Sequence, residues 1–189
     1  MTKQDRAVAK IIELTKLNSH TWYGIYGGPG VGKSTTAAGL FYLMKTNDYN
    51  VELVTEVAKD YTWENREQCL EDQLYIFAKQ NHRLERLKTK VDYVIVDSPL
   101  LLGILYTPID YYNNYNNIVT DVFNSYDNLN FYINRIKKYQ PIGRNQTEEQ
   151  SNEISIITRD LLKDHSYFEI DGNEIANLEI FTRIIENEK

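Results

Sequence analysis

The stretch Gly27–Thr36, GGPGVGKSTT, constrains the fold more than any other part of the chain. Gly27, Gly32, Lys33 and Ser34 complete the pattern G-x-x-x-x-G-K-S. Glycine loses more backbone freedom on folding than any other residue, so four glycines between positions 27 and 32 need a reason. A loop whose backbone N–H groups wrap phosphates supplies one, because the positive end of the following helix then faces the same anion. The flanks agree. Tyr23–Gly27 reads as a buried strand, and Ser34–Lys45 reads as a helix with Ala37, Ala38, Leu40, Phe41 and Met44 inward. Such a loop is expected to bind ATP with Mg²⁺ through Gly28, Gly30, Val31, Gly32, Lys33, Ser34 and Thr35. Lys33 would reach the β- and γ-phosphates, and the Ser34 hydroxyl would be a metal ligand.

Apolar runs and helical patterns alternate along the rest of the chain, which predicts a parallel sheet between two helical layers. Further strands are expected at Asn50–Thr55, Tyr93–Val96, Leu129–Asn134 and Tyr167–Ile170. Helices are expected over about Gln68–Lys88, with Leu70, Leu74, Phe77, Leu84 and Leu87 inward, over Thr147–Asp164, and near the C-terminus to about Glu186. Residues 1–20 read as an amphipathic N-terminal helix that is not a secretion signal. No linker, repeat or domain boundary is apparent. The fold expected is α/β: a five-stranded parallel sheet in a three-layer sandwich, residues 1–189 forming one domain.

Asp97 ends the apolar run Val94–Val96, at the strand edge where open α/β sheets bind ligands. It is the candidate second metal ligand; capping the segment before Pro99 is the bland alternative. Net charge is −6, which disfavours general nucleic-acid binding, because that wants a basic face. The tract Tyr111–Asn117, YYNNYNN, is nearly low-complexity and carries an aromatic base-stacking patch as a minor reading. Cys69 is alone, so no internal disulfide forms, and a cytoplasmic setting is expected. Nothing approaches the ~20 apolar residues of a membrane span.

Three classes of phosphate-loop protein compete. A GTPase needs Asn-Lys-x-Asp and Asp-x-x-Gly, and neither is present. A hexameric motor ATPase needs a larger body. A small kinase needs five strands, an acceptor pocket and a basic lid. The segment Ile133–Gln150 carries Arg135, Lys137, Lys138 and Arg144, broken by Pro141 and Gly143. A lid over 135–150 is expected, with Arg135 or Arg144 neutralising the transferring group.

The chain resembles the small P-loop kinases that act on nucleosides and nucleoside monophosphates, especially NadR-like kinase domains with their AAA-type and phage-encoded relatives. GGPGVGKSTT, LVTEVAKDY, Gln73 and Gln80, VIVDSP and GRNQTEE carry the resemblance, which spans about Trp22 to the C-terminus. It implies a nucleotide-kinase-like fold and a phage-encoded protein working in the host cytoplasm. It implies too that FEIDGN, near Asp171–Asn173, frames the adenine. Glu56 resembles the strand-two glutamate of deoxynucleoside kinases, with Trp63 following it. The chain departs from thymidylate and deoxynucleoside kinases in having Ser98 where they place an arginine after the acid, which leaves Arg135 and Arg144, with Arg66 or Arg83, to supply positive charge.

Glu56 can accept a proton from an acceptor hydroxyl. Gln73 and Gln80 fall on one helix face with Arg83 nearby, where a carboxamide can read a base edge. Tyr61, Trp63 or Phe77 can stack on that base. The acceptor expected is a small nucleoside or nucleotide; a hydroxymethylated base in DNA and a regulatory ATP-binding role are the alternatives. Glu56 has no arginine within nine residues on either side, which favours a hydroxyl acceptor over a phosphate.

Overall fold

The computed structural model describes residues 21–142 and 146–187. The helix expected over residues 1–20, and Arg144, lie outside them. Five strands form one parallel sheet: β1 (Thr21–Tyr26), β2 (Val51–Val54), β3 (Tyr93–Val96), β4 (Asp127–Asn134) and β5 (Tyr167–Asp171), in the order β2-β3-β1-β4-β5. The helices are α1 (Lys33–Thr46), α2 (Val57–Trp63), α3 (Gln68–Glu71), α4 (Gln73–Glu85), α5 (Tyr115–Asn124), α6 (Glu148–Leu162) and α7 (Ala176–Asn187), with a 3₁₀ helix at Leu100–Tyr106.

Successive residues of a strand point to opposite faces, and both faces of this sheet are covered. Trp22, Val94, Val96 and Tyr132 pack on one side with Leu84 of α4, Leu101 of the 3₁₀ helix, Tyr115 and Phe123 of α5 and Leu162 of α6. Tyr23, Ile25, Ile95, Phe131 and Ile133 pack on the other, under Leu40 and Met44 of α1 and Ile180 and Ile184 of α7. These are the three layers that the alternating pattern predicts.

Several expectations need correction. The helix expected over Gln68–Lys88 is two helices. Asp72 leaves helical geometry between them and caps α4, its side chain accepting from the Tyr75 amide at 3.0 Å. Leu74 and Ala38 are exposed rather than inward. Tyr111–Asn117 is not a stacking patch. Tyr115 is buried in the core and donates its hydroxyl to the Gln73 carbonyl at 2.9 Å, while the Tyr111 hydroxyl accepts from the Leu74 amide. Tyr115, Val119 and Phe123 recur every four residues, a helical stripe hidden by the asparagines around it. The lid segment ends where a capping box begins α6, Thr147 and Gln150 each accepting from the other's amide.

Leu40→Ala is expected to lower stability by about 2–5 kcal/mol, since Leu40 is fully buried between α1 and the sheet. Ala38→Lys, on the exposed face of the same helix, should stay within about 0.5 kcal/mol. Chemical denaturation of both variants checks the orientation of α1.

Candidate active site

The chain leaves β1, β2 and β3 at one edge of the sheet. Val54 and Gly24 both pair with Val96, and the Asp97 amide donates to the Val54 carbonyl at 3.0 Å, one step beyond the last paired residues. The glycine loop, Glu56 and Asp97 are therefore neighbours although about twenty to forty residues separate each from the next in sequence.

Gly27, Gly30 and Gly32 all have positive φ. Gly32 (φ 108°) caps α1 with no side-chain bond, so the first amides of that helix stay directed at the cleft. The Lys33 ammonium folds back over the loop, donating to the carbonyls of Gly27 (2.9 Å) and Gly28 (3.2 Å). Helix α6 braces the loop from outside. The buried Ser151 hydroxyl donates to the Pro29 carbonyl at 2.5 Å, and a Cβ on Gly28 would lie 2.6 Å from the Ser151 carbonyl. On another side a Cβ on Gly172 would lie 2.5 Å from the Val31 carbonyl, so the Asp171–Asn173 turn also abuts the loop. Val31 itself is buried in the core.

Glu56 is the N-cap residue of α2, yet its side chain makes no capping bond. Burial pushes its carboxyl above the ordinary glutamate range; the Lys33 charge opposes this, and the Asp97 charge adds to it. Asp97 is 3% exposed, and its Oδ1 has no hydrogen-bond partner. A buried carboxylate oxygen left without a donor suits a cation better than a cap. No group of three or more His, Cys, Asp or Glu capable of holding a metal occurs among the described residues. Mg²⁺ needs no such cluster, since one carboxylate, a hydroxyl and substrate phosphates with water commonly suffice. Ser34 and Asp97 fit that requirement.

A cleft of about 500 Å³ opens between the loop and α4. Gly30, Gly32, Lys33, Ser34, Thr35, Glu56, Trp63, Gln73, Phe77 and Gln80 line it, ten residues the sequence nominates for one site. Trp63 stands at the rim, 62% exposed, while Gln73 and Gln80 are buried rather than solvated. The Gln73 amide donates to the Leu70 carbonyl at 2.6 Å. Other nominated residues are turned elsewhere. Tyr61 is buried and its hydroxyl bonds that of Tyr75. Arg83 is paired with Asp60, and Arg66 with Glu64. Arg135 lies over the Tyr139 ring and reaches the Ser151 hydroxyl at 3.4 Å.

Sequence reasoning misses the wall made by Pro99, Leu100, Leu102, Gly103 and Tyr106. The signal was the run LLLGILY, too apolar for a solvated loop. Burial raises the Tyr106 hydroxyl to about 12, and the Glu56 charge adds to it, so that hydroxyl is neutral at ordinary pH. Gly28→Ala is expected to lower the melting temperature, because the new Cβ meets α6 backbone that cannot rotate away. A wild-type melting temperature would show that α6 does not brace the loop. Glu56→Gln should melt higher than wild type at neutral pH. A folded-state pKa above the unfolded value means the ionised form costs stability, and the advantage should vanish below the ordinary glutamate range.

The fold is that of solved kinase structures. A deoxyadenosine kinase from M. mycoides with bound dATP superposes with a TM-score of 0.53 at 20% identity, covering 87% of this chain and 99% of that one. The same enzyme with the products dCMP and a flexible dCDP gives 0.55 at 18% identity, covering 88% and 99%. No curated protein matches the chain significantly. Residues 22–173 match the family described as AAA domain, and that stretch contains the loop, Glu56, Asp97 and all of the sheet but Thr21. The chain belongs to this AAA-domain family of P-loop proteins and has the small-kinase form of its fold.

Proposed function

We propose that the protein is an ATP-dependent kinase that phosphorylates a hydroxyl of a nucleoside-like small molecule. The observation that carries this is the place of Glu56, on the cleft lining with Lys33 and beside Asp97, at the joint between a phosphate loop and a pocket of mixed apolar and polar lining. Lys33 and Lys59 are the cations among the described lining residues, and no arginine is among them. A phosphate acceptor would bring about two negative charges toward a carboxylate with little to balance them. A neutral hydroxyl brings none. The kinase structures with the same fold support the reading, since the bound molecules named in them are nucleotides.

The chemistry follows from the positions. The loop amides and Lys33 hold the triphosphate of ATP, with the amino end of α1 directed at it. Mg²⁺, held by Ser34 and Asp97, would neutralise charge on the phosphate oxygens. The acceptor hydroxyl attacks the γ-phosphorus while the bond to the bridging oxygen breaks, and ADP leaves with that electron pair. Glu56 takes the hydroxyl proton; its raised pKa makes it a better base than an exposed glutamate. Phe77 and Ile76 flank the acceptor, and Gln73 offers its remaining carboxamide capacity to it. Ile142 and Gln146 also reach the cleft, so the segment between β4 and α6 serves as the lid. Arg144 on that segment is assigned to the γ-phosphoryl, and Arg135 to bracing the lid.

Lys33→Ala should abolish most transfer without unfolding the chain, and Asp97→Asn should keep nucleotide binding while losing magnesium-dependent turnover. Glu56→Gln should lower kcat by roughly 10²–10⁴ with nucleosides. The deciding assay offers wild type and Glu56→Gln nucleosides, nucleoside monophosphates and hydroxymethylated oligonucleotides side by side. Activity confined to monophosphates would overturn the hydroxyl reading, and activity confined to the oligonucleotides would move the acceptor to DNA. No turnover with any of them, despite ATP binding, would favour a regulatory role.

A further inference from the structure

The first amides of a helix need an acceptor, and a side chain at the N-cap commonly supplies one. Glu56 does not, and the acceptor comes from α4 instead. Gln80 Oε1 accepts from the Val57 amide at 3.0 Å, and Gln80 Nε2 donates to the Thr55 carbonyl at 3.2 Å. One carboxamide thus grips the backbone on both sides of Glu56. Three residues on, so on the same helix face, Arg83 donates to the Thr55 carbonyl and to Thr55 Oγ1, each at 3.2 Å, and pairs with Asp60 of α2 at 2.5 Å. Gln80 is 5% exposed and its bond to the Val57 amide is buried, so leaving that amide without a partner would be costly.

We propose that Gln80, assisted by Arg83, is a positioning residue that fixes the Thr55–Val57 turn and thereby aims the Glu56 carboxylate into the cleft. This rests on the reading of Glu56 as the base. Each end of the Gln80 carboxamide holds backbone next to Glu56, which assigns it to the turn that carries the base rather than to an acceptor base. The base-edge role expected for it passes to Gln73. With its caps supplied by α4, the turn leaves the carboxylate for chemistry, where a displacement of about 1 Å can cost on the order of 10²-fold in rate.

The test combines hydrogen exchange with a double-mutant cycle. Gln80→Met keeps the volume and removes both bonds. It should speed exchange of the Val57 amide, lower kcat by about tenfold or more, and leave the KM for ATP within about threefold. In a Glu56→Gln background the same substitution should cost less than about threefold, because there is no carboxylate left to aim. Gln80→Glu keeps an acceptor for Val57, so it should retain that amide's protection; Gln80→Leu, which also removes both bonds, replaces the methionine variant should that one not fold. Unchanged exchange at Val57 in Gln80→Met would overturn the clamp. So would an equal rate loss in both backgrounds, or a raised acceptor KM with kcat intact, which would return Gln80 to direct substrate contact. A wild-type rate in Glu56→Gln alone would instead overturn the base assignment, and exchange at Val57 would then decide the clamp by itself.

Discussion

The backbone hydrogen bond from the Asp97 amide to the Val54 carbonyl is the contact on which the cleft depends. It extends the parallel ladder of β2 and β3 past its last paired residues and sets the two chains side by side as they leave the sheet. Because every strand is parallel, every strand ends at the same edge, and the edge collects side chains from distant parts of the sequence. The order β2-β3-β1-β4-β5 puts the glycine loop after β1 between the exits of β3 and β4. Glu56 and Asp97 then stand on one flank of the loop, and the chain leaving β4 on the other.

The loop is held from three sides, which explains the number of its glycines better than phosphate approach alone. Helix α6 presses on Gly28, the turn after β5 presses on Val31, and α1 begins at Gly32. A side chain at Gly28 would displace α6 backbone. Arg135, next to the strand β4, touches the same Ser151 hydroxyl that holds Pro29. The start of the segment after β4 and the phosphate loop therefore share one buried serine.

The polar groups of the acceptor side divide their work. Gln80 and Arg83 spend their hydrogen bonds on the turn that carries Glu56, while Gln73 and the aromatic and aliphatic wall face the cleft. The 3₁₀ helix after Asp97 supplies that wall with Leu100, Leu102 and Tyr106.

The sequence by itself determined the loop, the five strands and their parallel arrangement. Each rests on local chemistry: glycines where φ turns positive, a helix start at Lys33, unbroken apolar runs in strands buried on both faces. It also named ten of the residues that line the cleft, because strand ends and helix faces can be counted along the chain. What it could not decide was which way a polar side chain turns once the helices pack. Gln73 and Gln80 share one face of α4, yet only the docking of α2 against α4 brings the amide of Val57 to one of them. Tyr115 reads as part of an asparagine-rich tract until α5 lies on the sheet and buries it. Tyr61 and Arg83 have partners, Tyr75 and Asp60, more than ten residues away. Hydrogen bonds of buried groups are satisfied in three dimensions, by whichever donor or acceptor the packing delivers, and that choice leaves no periodic mark in the sequence.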